Sequence, residues 1–108
     1  MLSAAVIIVN WNGAHYLRPC LDSLRRQTHP NFEIIVVDNG STDDSVEMVQ
    51  AEYPEVRLLK LGDNYGFIVA CNRGAKLTQA DILVMLNNDT EAEPGWLQAL
   101  CRTLEEHP

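Results

Sequence analysis

Ala4-Ala5-Val6-Ile7-Ile8-Val9, running into Asn10-Trp11-Asn12-Gly13, is the stretch on which the fold turns. The apolar run is short, rich in β-branched residues and free of alternation with polar ones, so it reads as a strand covered on both faces. The Asn/Gly-rich tail reads as the turn that ends it. A strand buried on both faces belongs to a parallel sheet, because parallel neighbours are joined by crossover helices that cover those faces.

Outward from that strand the pattern repeats. Leu17, Cys20, Leu21 and Leu24 recur at helical spacing, and Thr28-His29-Pro30-Asn31 breaks the helix they define. Phe32 to Val37 is a second buried strand that stops at Asp38-Asn39-Gly40-Ser41. A second helix is predicted from near Ser41-Thr42, with Asp43 and Asp44 in a first turn that favours carboxylates, Val46, Val49 and Tyr53 facing inward, and Pro54 closing it. Val56 to Leu61 makes a third strand, and Gly62-Asp63-Asn64-Tyr65-Gly66 turns into a third helix whose inner stripe is Phe67, Ala70, Cys71, Gly74 and Ala75. Those small residues let the helix lie close to the sheet or to a ligand. Ile82 to Leu86 is a fourth strand ending in Asn87-Asn88-Asp89-Thr90, and a last helix opens at Pro94-Gly95 and carries Leu97, Leu100, Cys101 and Leu104. Strands alternating with helices in this way predict a three-layer α/β/α fold on a mainly parallel, Rossmann-like sheet of about four strands.

Composition narrows the function. At 108 residues the chain supports one core and one domain, 1–108. A net charge of −7 argues against nucleic-acid binding, since Arg25-Arg26 is too small a basic cluster to overrule it. There is no apolar run long enough to span a bilayer and no export signal, so a cytoplasmic location is expected, with the inner face of the membrane open to a full-length protein. The three cysteines, Cys20, Cys71 and Cys101, lie far apart on helical stripes and read as buried thiols rather than disulfides or a metal knuckle. His15, His29 and His107 read as solvated loop or helix-end residues.

In an open parallel sheet, ligands bind beyond the carboxyl ends of the strands where the strand order reverses. The polar residues gather at those ends: Asn10, Trp11 and Asn12 after the first strand, Asp38, Asn39 and Ser41 after the second, Asn87, Asn88 and Asp89 after the fourth. The turn after the first strand lacks the glycines of a dinucleotide fingerprint, and no P-loop pattern is present. A metal is then the remaining means of holding a diphosphate, and Asp89, following a strand and flanked by two amides, is the carboxylate best placed for it. A phosphoacceptor receiver domain is excluded in practice, because the first strand ends in Asn-Trp-Asn and the third in Leu61-Gly62 rather than in aspartates.

Four segments taken together carry a resemblance. Val6 to Gly13, Phe32 to Asp43, Asn64-Tyr65-Gly66-Phe67 with Asn72-Arg73-Gly74, and Leu86 to Thr90 are similar, in order and spacing, to the start of family 2 glycosyltransferases of the GT-A fold. The resemblance implies an inverting transfer of a sugar from a nucleoside diphosphate, thymidine or uridine, to an acceptor hydroxyl. It implies donor-binding roles for Val9, Asn10, Trp11, Asp38, Asn64, Gly66, Asn87 and Asn88. Val9 to Trp11 match the cradle of the nucleoside, and Asp38 matches the acceptor for N3–H of uracil or thymine. Asn87-Asn88-Asp89 stands where the family has a D-x-D motif, leaving Asp89 to bind a divalent cation, Mg2+ or Mn2+.

Many members carry arginine where Cys71 stands. With Asn87 in place of the first aspartate, this makes the pattern closest to the rhamnosyltransferase-like branch. Arg73 either reaches phosphate or sits exposed. The catalytic base is expected beyond residue 108, so that the chain is an N-terminal fragment, inactive by itself, of an enzyme acting on a glycan or lipid-linked acceptor in polysaccharide biosynthesis. The fourth strand is expected to be an open edge prone to self-association. The alternative is a non-catalytic nucleotide-binding or regulatory domain of the same fold.

Overall fold

The computed structural model describes residues 1–107. Four strands, β1 (Ala4–Asn10), β2 (Phe32–Asp38), β3 (Arg57–Lys60) and β4 (Ile82–Asn87), alternate with α1 (Ala14–Arg25), α2 (Ser45–Glu52), α3 (Phe67–Ala75) and α4 (Trp96–Glu106). The sheet is parallel throughout and ordered β3-β2-β1-β4. The chain therefore builds outward from β1 through β2 to β3, then returns to place β4 on the other side of β1. That reversal makes the carboxyl ends of β1 and β4 the switch point. Among the described residues no helix is long and apolar enough to cross a membrane.

The period of the strands divides the core into two layers. On one face, Val6 and Ile8 of β1 and Ile34 and Val36 of β2 meet Leu17, Leu21 and Leu24 of α1, Met48 and Val49 of α2, and Leu97 of α4. On the other, Ala5, Ile7, Ile35 and Val37 meet Ala70 of α3. Gly74 brings α3 close to the sheet, since a Cβ there would stand 2.9 Å from Val37 Cγ2 and 3.0 Å from Ile7 Cγ2. All three cysteines are free and buried.

Several sequence expectations shift. β4 is covered on one face only: α3 packs over β1 and β2, leaving Leu83 and Met85 45% and 44% exposed. Phe67 does not join the inner stripe of α3 but lies exposed at the helix start. The second helix begins at Ser45 rather than near Ser41, because Ser41 and Asp43 are drawn into side-chain bonds with the turns around them. Met48, with Val49 and Tyr53, is buried beneath it, whereas Val46 is only half-buried. His29 is not solvated: it is 2% exposed, and its Nε2 donates to the Leu2 carbonyl at 2.9 Å, tying the α1–β2 loop under the amino terminus.

Candidate functional site

Parallel register carries the strand ends to one rim. Asn10 is the partner of Asp38, and Val9 that of Asn87, so one residue further along β4 stands Asn88 beside Asn10. These three side chains leave the sheet on the face covered by α1 and α2, just past the last apolar layer of Ile8 and Val36.

They are joined. Asn10 Nδ2 donates to Asp38 Oδ1 at 3.1 Å, and Asn88 Nδ2 donates to Asn10 Oδ1 at 3.0 Å. Ser41 closes the cluster, its Oγ donating to Asp38 Oδ1 at 2.6 Å and its N–H to Oδ2 at 2.9 Å, while accepting from the Asn12 N–H at 2.9 Å. Asn10 is wholly buried and Asp38 3% exposed. Burial of such groups is tolerable only because each is bonded, and among the described residues no buried side-chain polar atom lacks a partner.

The turns beyond are pinned by the same residue types. Asn12, with φ 50°, sends its Oδ1 to the Thr42 and Asp43 N–H groups at 2.7 and 3.1 Å. Asp43 answers by accepting from the Ala14 N–H at 3.2 Å and the Ser45 N–H at 3.0 Å, so one carboxylate serves the free amides of α1 and α2. Burial would push the Asp43 carboxyl up, but these hydrogen bonds outweigh it and hold the group below its ordinary value. Asn39 reaches the other way, accepting from Tyr65 N–H at 3.2 Å and donating to the Gly66 carbonyl at 3.2 Å, which fixes the β3–α3 loop to the same rim.

The predicted site residues thus fall into two sets. Asn10 and Asp38 are buried with their bonds directed to protein; Asp38 Oδ2, with a single protein donor, keeps acceptor capacity. Trp11 is 55% exposed, Asn64, Gly66, Asn87 and Asp89 are exposed, and Val9 and Asn88 are half-buried. Asn64 Oδ1 accepts the Gly66 N–H at 2.9 Å and shapes the loop. Arg73 lies over the Tyr65 ring, 5.4 Å from its centroid.

Ser41, Asn39, Asn12, Asp43 and Gly13 complete the architecture. Their sequence signal was the density of Asn, Asp, Ser and Gly after β1 and β2, the residue types that bond their own turns. A cavity of about 330 Å³ bounded by Leu24, Arg25, Phe32, Glu33, Ile34 and Glu55 lies at the opposite end of the sheet.

Among the described residues no three His, Cys, Asp or Glu side chains gather to hold a metal. At the β4 corner the ligands on offer are oxygens, the exposed Asp89 carboxylate and the Asn88 Oδ1. A hard cation that completes its shell with water and phosphate oxygens suits such a corner, whereas a site closed by protein alone does not.

Residues 5–108 match the family model described as "Glycosyl transferase family 2". The chain is 37% identical over 99 residues to the uncharacterized glycosyltransferase YibD of Escherichia coli, covering 89% of this chain and 28% of that protein. It is 34% identical over 105 residues to glycosyltransferase GlyA of Streptococcus pneumoniae, covering 94% and 15%. Among solved structures, Staphylococcus aureus TarS in complex with UDP superposes with a TM-score of 0.89 at 24% identity, over 98% of this chain and 33% of that one. A mannosyltransferase of Pyrobaculum calidifontis in complex with GDP-Man and Mn2+ superposes with a TM-score of 0.77 at 25% identity, over 82% and 28%. The chain thus spans under a third of the length of these two curated relatives.

Proposed function

Because the chain belongs to glycosyl transferase family 2, we propose that it forms the donor-binding half of an inverting enzyme that moves a sugar from a uridine or thymidine diphosphate to an acceptor hydroxyl. The observation that carries the reading is the bonded series Asp38–Asn10–Asn88, which brings three loops from distant sequence positions to one rim at the switch point. Trp11 and the Asn64–Gly66 loop border the nucleoside end. Asp38, an acceptor held by Ser41, favours a pyrimidine that offers a ring N3–H, as uracil and thymine do and cytosine does not.

Asp89 would help hold a magnesium or manganese ion, which when bound would neutralise charge on the departing diphosphate. The chain's own residues fix the nucleoside so that the anomeric carbon faces the acceptor. The base that takes the acceptor proton, and the glycan or lipid-linked acceptor itself, are assigned to the rest of a longer protein. Asn87 and Cys71 favour the rhamnosyltransferase-like branch, hence a thymidine donor. Three free thiols suit the reducing cytoplasm.

Calorimetric titration with uridine, thymidine, cytidine and guanosine diphosphates, with and without manganese, tests the reading. Binding is expected for the first two, strengthened by manganese and losing that gain in Asp89→Ala. Equal affinity for cytidine diphosphate, or manganese-independent binding unchanged by Asp89→Ala, would overturn it and leave a non-catalytic nucleotide-binding domain as the better account.

A further inference from the structure

A fully buried carboxamide is unusual, and Asn10 is completely buried at the junction of three strands' loops. Its orientation is forced. Both Asp38 oxygens accept from Ser41, so the Asn10 NH2 faces an acceptor, and Nδ2 lies 3.1 Å from Asp38 Oδ1 and 3.4 Å from Ser41 Oγ. The Asn10 carbonyl oxygen is thereby turned to β4, where it can only accept, so Asn88 must donate, as it does at 3.0 Å. Asn88 Oδ1 is then the atom left pointing away from the chain of bonds, and among the described residues no donor reaches it. Gly13 keeps the junction open, for a Cβ there would come within 2.9 Å of Asn10 Oδ1 and collide with the Asn88 amide.

We propose that Asn10 is a positioning residue that couples the nucleoside end of the site, at Asp38, to the diphosphate end, at Asn88 and Asp89, through a one-way series of amide hydrogen bonds. The direction of the series is set by the Asp38 oxygens accepting from Ser41, and its consequence is an oxygen presented beside Asp89. Neither Asp38 nor Asn88 bonds the other, and the hydrogen-bonded path between them passes through Asn10. The functional half of this inference rests on the donor-site reading above; the structural half does not.

The test is a double-substitution cycle on the purified chain, read by thermal midpoint. Asp38→Asn leaves Ser41 and Asn10 facing an amide, and Asn88→Asp confronts the Asn10 oxygen with a carboxylate. Each is expected to lower the midpoint by about 4–8 °C, the size that a lost buried hydrogen bond produces in a domain of this length. Together they reverse every donor and acceptor in the series with the Asn10 amide flipped, so the combined variant is expected to regain at least half of the summed loss. In an Asn10→Leu background that regain disappears.

The second readout is the gain in uridine diphosphate affinity on adding manganese, expected to fall at least about fivefold in Asn10→Leu. Simple addition of the two single losses would overturn the series, and an unchanged manganese gain in Asn10→Leu would overturn the coupling. Absence of nucleotide binding by the parent chain would instead sink the donor-site reading and leave the stability cycle to decide the relay. If Asp38→Asn does not fold, the Asp38 carboxyl carbon resonance serves: it moves on Asn88→Ala if the series exists, and stays put if it does not.

Discussion

Gly13 and Asn88 share one small space, since a side-chain carbon on Gly13 would collide with the Asn88 amide and approach Asn10 Oδ1 to 2.9 Å. Gly13 has a negative φ of −119°, so backbone conformation does not call for glycine there. The requirement is room. Gly13→Ala is expected to cost about 1–3 kcal/mol, the range for forcing an added carbon into a packed site, with the Asn88–Asn10 bond displaced. Thermal denaturation checks this, and a neutral substitution would show that the junction yields easily.

Gly74 sets two effects against each other. Alanine gains about 1 kcal/mol of helix propensity over glycine. The added Cβ would meet the Val37 and Ile7 methyls at 2.9 and 3.0 Å, and these belong to stiff β-branched side chains on central strands. Overpacking wins on magnitude, so Gly74→Ala is expected to destabilise by about 1 kcal/mol net. A stabilised variant would mean that α3 can move off the sheet at little cost.

The Asp43 carboxylate gives the fold an acid-sensitive clasp. Its folded-state value lies below the ordinary 3.8, because the bonds from Ser45 and Ala14 outweigh the opposing effect of burial. A depressed carboxyl stabilises the fold above its unfolded value, and that contribution drains away as the pH falls through the lower folded one. In urea titrations from about pH 5 downward, Asp43→Asn should therefore be less stable than the parent at the upper end and lose less on acidification. Parallel acid limbs for the two proteins would assign the clasp no role.

Thiol chemistry reports on the core. Burial, aided by the nearby Asp89 and Glu91 carboxylates, pushes the Cys20 thiol up to about 11, and burial raises Cys71 and Cys101 as well. All three should react slowly with a disulfide reagent at pH 8 in the native protein and promptly in denaturant. A thiol that titrates natively at the rate of free cysteine would contradict the packing of its helix.

β4 is paired with β1 on one side, carries no charge from Ile82 to Asn87, and leaves Leu83 and Met85 exposed on one face. An uncharged edge with apolar neighbours is a template for pairing. We expect concentration-dependent self-association in sedimentation, suppressed by Met85→Lys, and a monomer at every concentration would refute it.

The candidate site was legible in part. The polar clusters at the ends of the first, second and fourth strands were visible, because a buried strand must stop where its residues turn polar. Which of those residues face solvent was not. Asn10 and Asp89 are both polar residues at strand ends, yet one is sealed inside and the other exposed. His29, too, looked like a loop residue until the amino terminus supplied its carbonyl partner.

The amino-acid order alone determined the alternation of strands and helices, the parallel sheet, the three buried thiols and the small-residue face of α3. Each follows from local periodicity and side-chain volume, which neighbours along the chain already express. Only the tertiary structure decided that α3 covers β1 and β2 but not β4, and that the Asn10 amide binds Asp38, 28 positions away, and Asn88, 78 positions away. Hydrogen bonds between side chains depend on strand order and register, and those are settled by how the whole core closes.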